Sequence, residues 1–367
     1  FRTFKGHRAL AMLHIAMHDA VNGVRPRYRQ YAFFGRDSLA DPAVAAAQAA
    51  HDVLAAEYPG AAAVIDAKLA GRVASTGDGS AARGAELGRR AAAAILEKRR
   101  GDGVDVMGTY SFRKTAGAYA TTPPWNGFVA WPGFRYARPF ALTSPSQLRP
   151  PPPPALERRE YAKALNEVKQ VGGAKSTSRS ADQTGYAVWW MEYVEGSVNR
   201  LARRLAQEKR LPLAEAARLF ALLNVAIFDD YVAVWDSKFE YDHWRPYTAI
   251  REAARADSSW QPLRPTPPFP EYVSAHAGAC AASFAILERF LGDQPFTMET
   301  TTAPAGMPTR RFASFRDAAA ECADSRVRLG WHFRYATDAG LELGRAVAEY
   351  VGSHYFTAVS GRGSSTR

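Results

Sequence analysis

LAEAARLFALLNVAIFDDYVAVW, residues 213–235, is the stretch on which the fold turns. Strong helix formers run through it without a proline or glycine, and its apolar core, Leu219 to Phe228, is the greasiest window of the chain. That window is bracketed by Arg218 and Asp229 and falls well short of the ~20 apolar residues a membrane span needs. It therefore predicts a buried helix in a soluble chain. Helical patterns continue on both sides, at Leu156 to Val171 and Ala181 to Glu208 before it. After it they run over His243 to Ala254, Ala277 to Leu291, Arg311 to Leu329 and Ala336 to Tyr355. Near the start, Ala9 to Val21 reads as an apolar helix closed by Asn22-Gly23, and Ala43 to Tyr58 and Ala81 to Lys98 are alanine-rich.

Between residues 100 and 154 the helical pattern breaks. Pro, Gly and aromatic residues crowd together there, and Pro150 to Pro154 must be extended because each ring fixes φ and removes a donor. The neighbouring aromatics predict an ordered strap that packs. No internal repeat is present, and few apolar–polar alternations are long enough for a sheet. The expectation is an all-α fold, one domain over residues 1–367, with its chemistry in residues 235–340.

Composition narrows the function classes. Apolar residues make up 47 % and charged residues 23 %, an ordinary globular balance. The net charge of +11 favours anionic ligands. The basic residues are scattered, however, and carry none of the spacings of nucleic-acid-binding modules, so no nucleic acid is expected. The two cysteines, Cys280 and Cys322, are too far apart for a CxxC zinc arrangement. His14 and His18 have the four-residue spacing of a metal pair, but no third ligand accompanies them.

Three short segments carry residues that bind an oxyanion. The first runs from Lys238 to Pro246; on a continuous helix its Lys238 and Arg245 would share one face, which favours something anionic between them. The second, Val273-Ser274-Ala275-His276, opens a helix after a Pro-rich loop, so a hydroxyl, free N–H groups and an imidazole meet. The third, Ser325 to His332, places Arg326 and His332 around Gly330. Taken singly, these are a solvated face, a cap and a coincidence.

Together and in this order they resemble the signature of the vanadium-dependent haloperoxidases and type 2 phosphatidic-acid phosphatases. That signature is Lys-x6-Arg-Pro, then Pro-Ser-Gly-His, then Ser-Arg-x5-His-x3-Asp. The chain has Lys238-x6-Arg245-Pro246, Ser274-Ala275-His276 and Ser325-Arg326-x5-His332. Met17 to Asn22 also resembles the opening helix of bacterial haloperoxidase-like proteins. Trp235 and Phe269 resemble positions in the chloroperoxidase pocket wall, which favours the chloroperoxidase-like branch.

The resemblance implies a large helical bundle with the oxyanion site at its centre and vanadate as cofactor, with phosphate able to occupy the same site. It implies that His332 ligates vanadium and that Lys238, Arg245, Arg326, the Ser274 hydroxyl and the Ala275 N–H hold the oxygens. His276 is implied as acid–base group, and Lys238 as a polarising catalytic cation. The partners implied are hydrogen peroxide, a halide (iodide or bromide before chloride) and a small organic acceptor. The alternatives are an acid phosphatase acting through a phosphohistidine and a non-catalytic oxyanion binder.

The chain departs from the signature at Val273, Ala275 and Ala336. The last stands where an aspartate would orient the histidine; the nearest carboxylate in sequence is Asp338. Glu192 is a candidate partner for Arg326, Asp229 for the site arginines, and His243 for the pocket entrance. Cys280 and Cys322 flank motifs that must converge, so a disulfide and two buried thiols are both open readings. A bridge would suit a secreted or periplasmic protein whose leader is absent from this chain; a cytoplasmic location and a homo-oligomer are left open.

Overall fold

The computed structural model describes residues 3–73, 79–252 and 256–359. It is all-α, with twelve α-helices and one two-stranded hairpin among the described residues. The sequence predicts one domain over 1–367; the folded chain divides into two compact units. One gathers residues 1–102, 202–228 and 350–367, the other 103–201 and 229–349.

In the first unit, α1 (Thr3–Val24), α2 (Pro42–Glu57), α3 (Ala62–Val73) and α4 (Gly79–Lys98) follow the alanine-rich segments. Asp41 caps α2 by accepting from the N–H groups of Ala43 and Val44. Gly88 lets α4 lie directly on α2: a Cβ there would stand 2.5 Å from the Ala45 carbonyl oxygen. His14 stacks on Phe220. Buried Asp19 binds His18 and accepts from the N–H groups of Tyr31, Ala32 and Phe33, so this motif clamps a loop. Among the described residues no group of His, Cys, Asp and Glu is placed to hold a metal.

The decisive helix, α8, runs Leu213–Tyr241, and residues 219–228 are buried apart from half-buried Phe220. No described helix is long and apolar enough to cross a membrane.

The second unit holds the strap, whose one regular element is a 3₁₀ turn at Pro132–Tyr136. It packs, as expected. Asp229 accepts from the N–H groups of Phe140, Ala141 and Leu142 and so ties the strap to α8. The Tyr241 and Tyr272 hydroxyls donate to the carbonyls of Pro150 and Pro151.

The remaining helices are α5 (Arg159–Val171), α6 (Ala181–Trp189), α7 (Val194–Glu208), α9 (Pro246–Glu252), α10 (Ala275–Leu291), α11 (Phe315–Arg328) and α12 (Arg334–His354). The helix expected over 181–208 is two helices, broken at 190–193, where the Trp190 carbonyl leaves the helical ladder and accepts from Arg326. The helix expected from Arg311 starts at Phe315. Arg311 and Phe312 instead lie in β2 (Thr309–Phe312), paired antiparallel with β1 (Phe296–Glu299), and Ser314 caps α11 through the Asp317 N–H. The Cys280–Cys322 disulfide joins α10 to α11. Gly344 brings α12 onto α10: a Cβ there would lie 2.1 Å from the Gly278 carbonyl oxygen.

Candidate active site

All of the site lies within the second unit. Lys238 stands near the end of α8, which stops at Tyr241 because Asp242 turns to φ +51°. His243 then bridges to Ala118 of the strap, and Arg245 precedes α9. Lys238 and Arg245 therefore do not share a continuous helix, as the spacing suggested. The bend between them turns both into one interior.

Lys238, Arg245 and Arg326 are at most 1 % exposed. Backbone carbonyls hold them. The Lys238 ammonium donates to Pro270, Glu271 and Val273 at 3.0, 2.9 and 2.6 Å. Arg245 donates through Nε to Phe269 and through Nη1 to Trp331, both at 2.9 Å. Arg326 donates to the Trp190 carbonyl and the Ser325 hydroxyl. Carbonyls satisfy hydrogens but do not cancel charge. Burial, then the charge of Arg245, pushes Lys238 well below the usual lysine range. Burial likewise takes Arg245 down to about 10 and Arg326 to about 9. Among the described residues, Glu271 is the carboxylate acting on Lys238 and Arg245, whereas burial alone accounts for Arg326.

The imidazole of His332 sits in this cationic interior. Its Nε2 lies 3.1 Å from Arg245 Nη1, and its Nδ1 lies 2.8 Å from Glu271 Oε1. Burial holds His332 well below the usual histidine range, with Arg245, Lys238, Arg326 and His276 adding to it. The partner of the second imidazole nitrogen is thus Glu271 and not the nearest carboxylate in sequence, Asp338. Ala336 uses its carbonyl to accept from the Ser274 N–H. Burial pushes the Glu271 carboxyl up to about 7 against the pull of both cations.

Ser274 is the N-cap of α10, yet its hydroxyl makes no capping bond. Ala275 opens the helix, so its N–H has no intrahelical acceptor, and it stays out of the left-handed region; the methyl in place of glycine costs nothing there. His276 keeps part of its ring surface accessible, but its Nε2 is buried. Burial, then Arg326, lowers it well below the usual range, while backbone hydrogen bonds with Trp190 and Glu192 act the other way. Four buried side-chain atoms of this cluster have no hydrogen-bond partner among the described residues: Arg245 Nη2, Ser274 Oγ, His276 Nε2 and Glu271 Oε2.

Trp235 and Phe269 lie 5.0 Å apart between ring centroids, and the Lys238 ammonium and Arg245 guanidinium approach the Phe269 face at 5.1 and 5.0 Å. They form one aromatic wall beside the cations. Two expectations are corrected. Glu192 pairs with Arg200 through both carboxylate oxygens at 2.8 and 2.6 Å rather than with Arg326, because the 190–193 break turns its side chain toward α7 and the Thr301 N–H. His243 is buried against Tyr161, Phe333 and Tyr335, with Nε2 2.7 Å from the Tyr335 hydroxyl, so it does not stand at an entrance. The residue that sequence reasoning missed is Glu271. Its signal was a carboxylate three places before Ser274, at the end of the Pro-rich loop.

The matching family model describes the second helical-bundle domain of vanadium chloroperoxidase and covers residues 218–361. The vanadium chloroperoxidase of Curvularia inaequalis is 32 % identical over 188 residues, 41 % of this chain but only 30 % of that protein. The crystal structure described as the first bacterial vanadium-dependent iodoperoxidase superposes with a TM-score of 0.86 at 25 % identity, covering 97 % of this chain and 93 % of that one. A holo-type bacterial vanadium-dependent chloroperoxidase shares the fold, at TM-score 0.76 and 17 % identity over 96 % of this chain and 91 % of the other. The fold along nearly the whole chain is that of bacterial vanadium-dependent haloperoxidases, and the site-bearing residues 218–361 match the second helical-bundle domain of vanadium chloroperoxidase.

Proposed function

We propose that the chain oxidises a halide with hydrogen peroxide, using vanadate held at His332, Arg245, Lys238, Arg326, Ser274 and Ala275. The observation that carries this is the meeting of three buried cations with unpartnered donors around one neutral imidazole. Such an interior favours an anion in it, and the donor set fits a multi-oxygen anion better than a bare ion. Vanadate bound there supplies Lewis acidity that makes peroxide electrophilic toward a halide.

The chain's own part is positional and protonic. Arg245 offers Nη2, and Ser274 and Ala275 offer donors at a helix N-terminus, where anionic oxygen is favoured. His276, with Nε2 bare and uncharged, can take a proton from an incoming hydroperoxide and return it to a leaving oxygen. Trp235 and Phe269 keep water from one side and offer a polarisable face to a halide. Iodide and bromide, easier to oxidise than chloride, are the proposed halides, with a small organic acceptor downstream. The buried Cys280–Cys322 bridge supports a secreted or periplasmic location.

The test is bromide and iodide oxidation by hydrogen peroxide on metal-stripped protein titrated with orthovanadate. Activity that rises with vanadate and is suppressed by excess phosphate supports the proposal; no activity at saturating orthovanadate overturns it. A second reading, phosphate monoester hydrolysis with His332 as nucleophile, is favoured by Glu271 at the histidine's far nitrogen. Phosphatase activity without vanadate would support it.

A further inference from the structure

Glu271, two residues before the second motif, touches the first and the third. Its N–H donates to the His243 carbonyl at 2.8 Å, and its own carbonyl accepts from Lys238 at 2.9 Å. Its Oε1 lies 2.8 Å from His332 Nδ1 and accepts from the Phe333 N–H at 3.0 Å. The hydrogens of the imidazole can be assigned by donor counting. A guanidinium only donates, so Arg245 Nη1 at 3.1 Å requires His332 Nε2 to accept. A neutral imidazole that accepts at Nε2 must carry its proton on Nδ1, and that proton points at Glu271. The opposite assignment, with the carboxyl donating to Nδ1, would leave a ring with no proton at all.

We propose that Glu271 is the positioning residue of His332: it holds the ring proton on Nδ1 and so presents Nε2 as the bare nitrogen to the oxyanion centre. The task left open by alanine at position 336 is thereby supplied from the loop of the second motif rather than from the helix of the third. This rests on the functional reading above only for the identity of the ligand; the tautomer rests on the hydrogen bonds. Outer partners of this kind typically change ligand affinity 10–100-fold.

The test uses the full chain labelled with ring-¹⁵N histidine, the His332 signals being assigned by their loss in His332→Ala. Orthovanadate and inorganic phosphate binding are measured on the same samples by calorimetry. The parent is expected to show a protonated Nδ1 and a bare Nε2. Glu271→Gln, whose amide oxygen can still accept, should keep that pattern with weaker anion binding. Glu271→Leu should lose the pattern and bind orthovanadate roughly 10–100-fold more weakly. A parent His332 protonated on Nε2 overturns the proposal, even if the leucine variant fails to fold. So does a folded Glu271→Leu that keeps both the tautomer and the affinity. A parent with the expected Glu271-dependent tautomer that binds neither anion upholds the positioning role and sinks the functional reading instead.

Discussion

Cys280 and Cys322 are bonded across α10 and α11, four residues beyond His276 on one helix and four before Arg326 on the other. The bridge closes a loop of 42 residues. In the chain-entropy account a loop of that size gives about 4 kcal/mol. Cys280→Ser with Cys322→Ser should therefore lower unfolding stability by roughly 2–4 kcal/mol. Denaturant titration with and without reductant checks it: the parent should approach the double variant when reduced, and a double variant as stable as the oxidised parent would contradict it.

The two histidines should separate binding from turnover. His332→Ala removes the nitrogen facing Arg245 and is expected to abolish vanadate-dependent halide oxidation and to weaken orthovanadate binding. His276→Ala leaves the cations and the Ser274 cap in place, so it should retain bound vanadate while losing ~10²-fold or more in turnover. Calorimetry beside peroxidase assays measures both, and full activity in His332→Ala would contradict the assignment.

Asp230, fully buried on α8, packs its carboxyl beside Gly278, and neither of its oxygens has a hydrogen-bond partner among the described residues. Burial, with the neighbouring charge of Asp229, pushes it well above the ordinary aspartate range. The folded chain thus keeps a proton that the unfolded chain releases, so stability falls as pH rises from the ordinary aspartate value toward the raised one. Asp230→Asn should remove that decline, so that the two stability–pH curves separate progressively as the pH rises above the ordinary aspartate value. Parallel slopes would show that Asp230 does not titrate differently in the two states.

Gly344→Ala should destabilise by about 1–3 kcal/mol or more, because its methyl would meet the Gly278 backbone oxygen rather than a side chain able to turn away. Thermal unfolding reads this directly. An unchanged melting temperature would mean that α12 can slide off α10 at no cost.

Most of the helices were legible because their apolar spacing is local. The 213–235 stretch gave a buried helix from its composition, and the motif residues Lys238, Arg245, Ser274, His276, Arg326 and His332 meet around one interior. What escaped the sequence depends on pairings between distant segments. The break at 190–193 is maintained by Arg326, more than 130 positions on, and Arg311 joins a strand only because Thr297 faces it. Glu271 and His332 are 61 residues apart, a distance at which no periodicity relates two side chains. Glu192 was misassigned for a local reason: it lies in the 190–193 break, which helical spacing does not reveal, and there its side chain meets Arg200, eight residues on.

The cations at the centre are held almost wholly by main-chain oxygens, those of Pro270, Glu271 and Val273 for Lys238, Phe269 and Trp331 for Arg245, and Trp190 for Arg326. A carbonyl is supplied by every amino acid, so the cage makes little demand on the identity of the side chains at those positions. Mutational drift can pass through Val273 or Trp190 and leave the charge geometry standing so long as the backbone path is kept. That tolerance gives a physical reason why so sparse a set of shared chemistries can sit inside folds that agree over nine-tenths of their length while sharing a quarter or less of their residues.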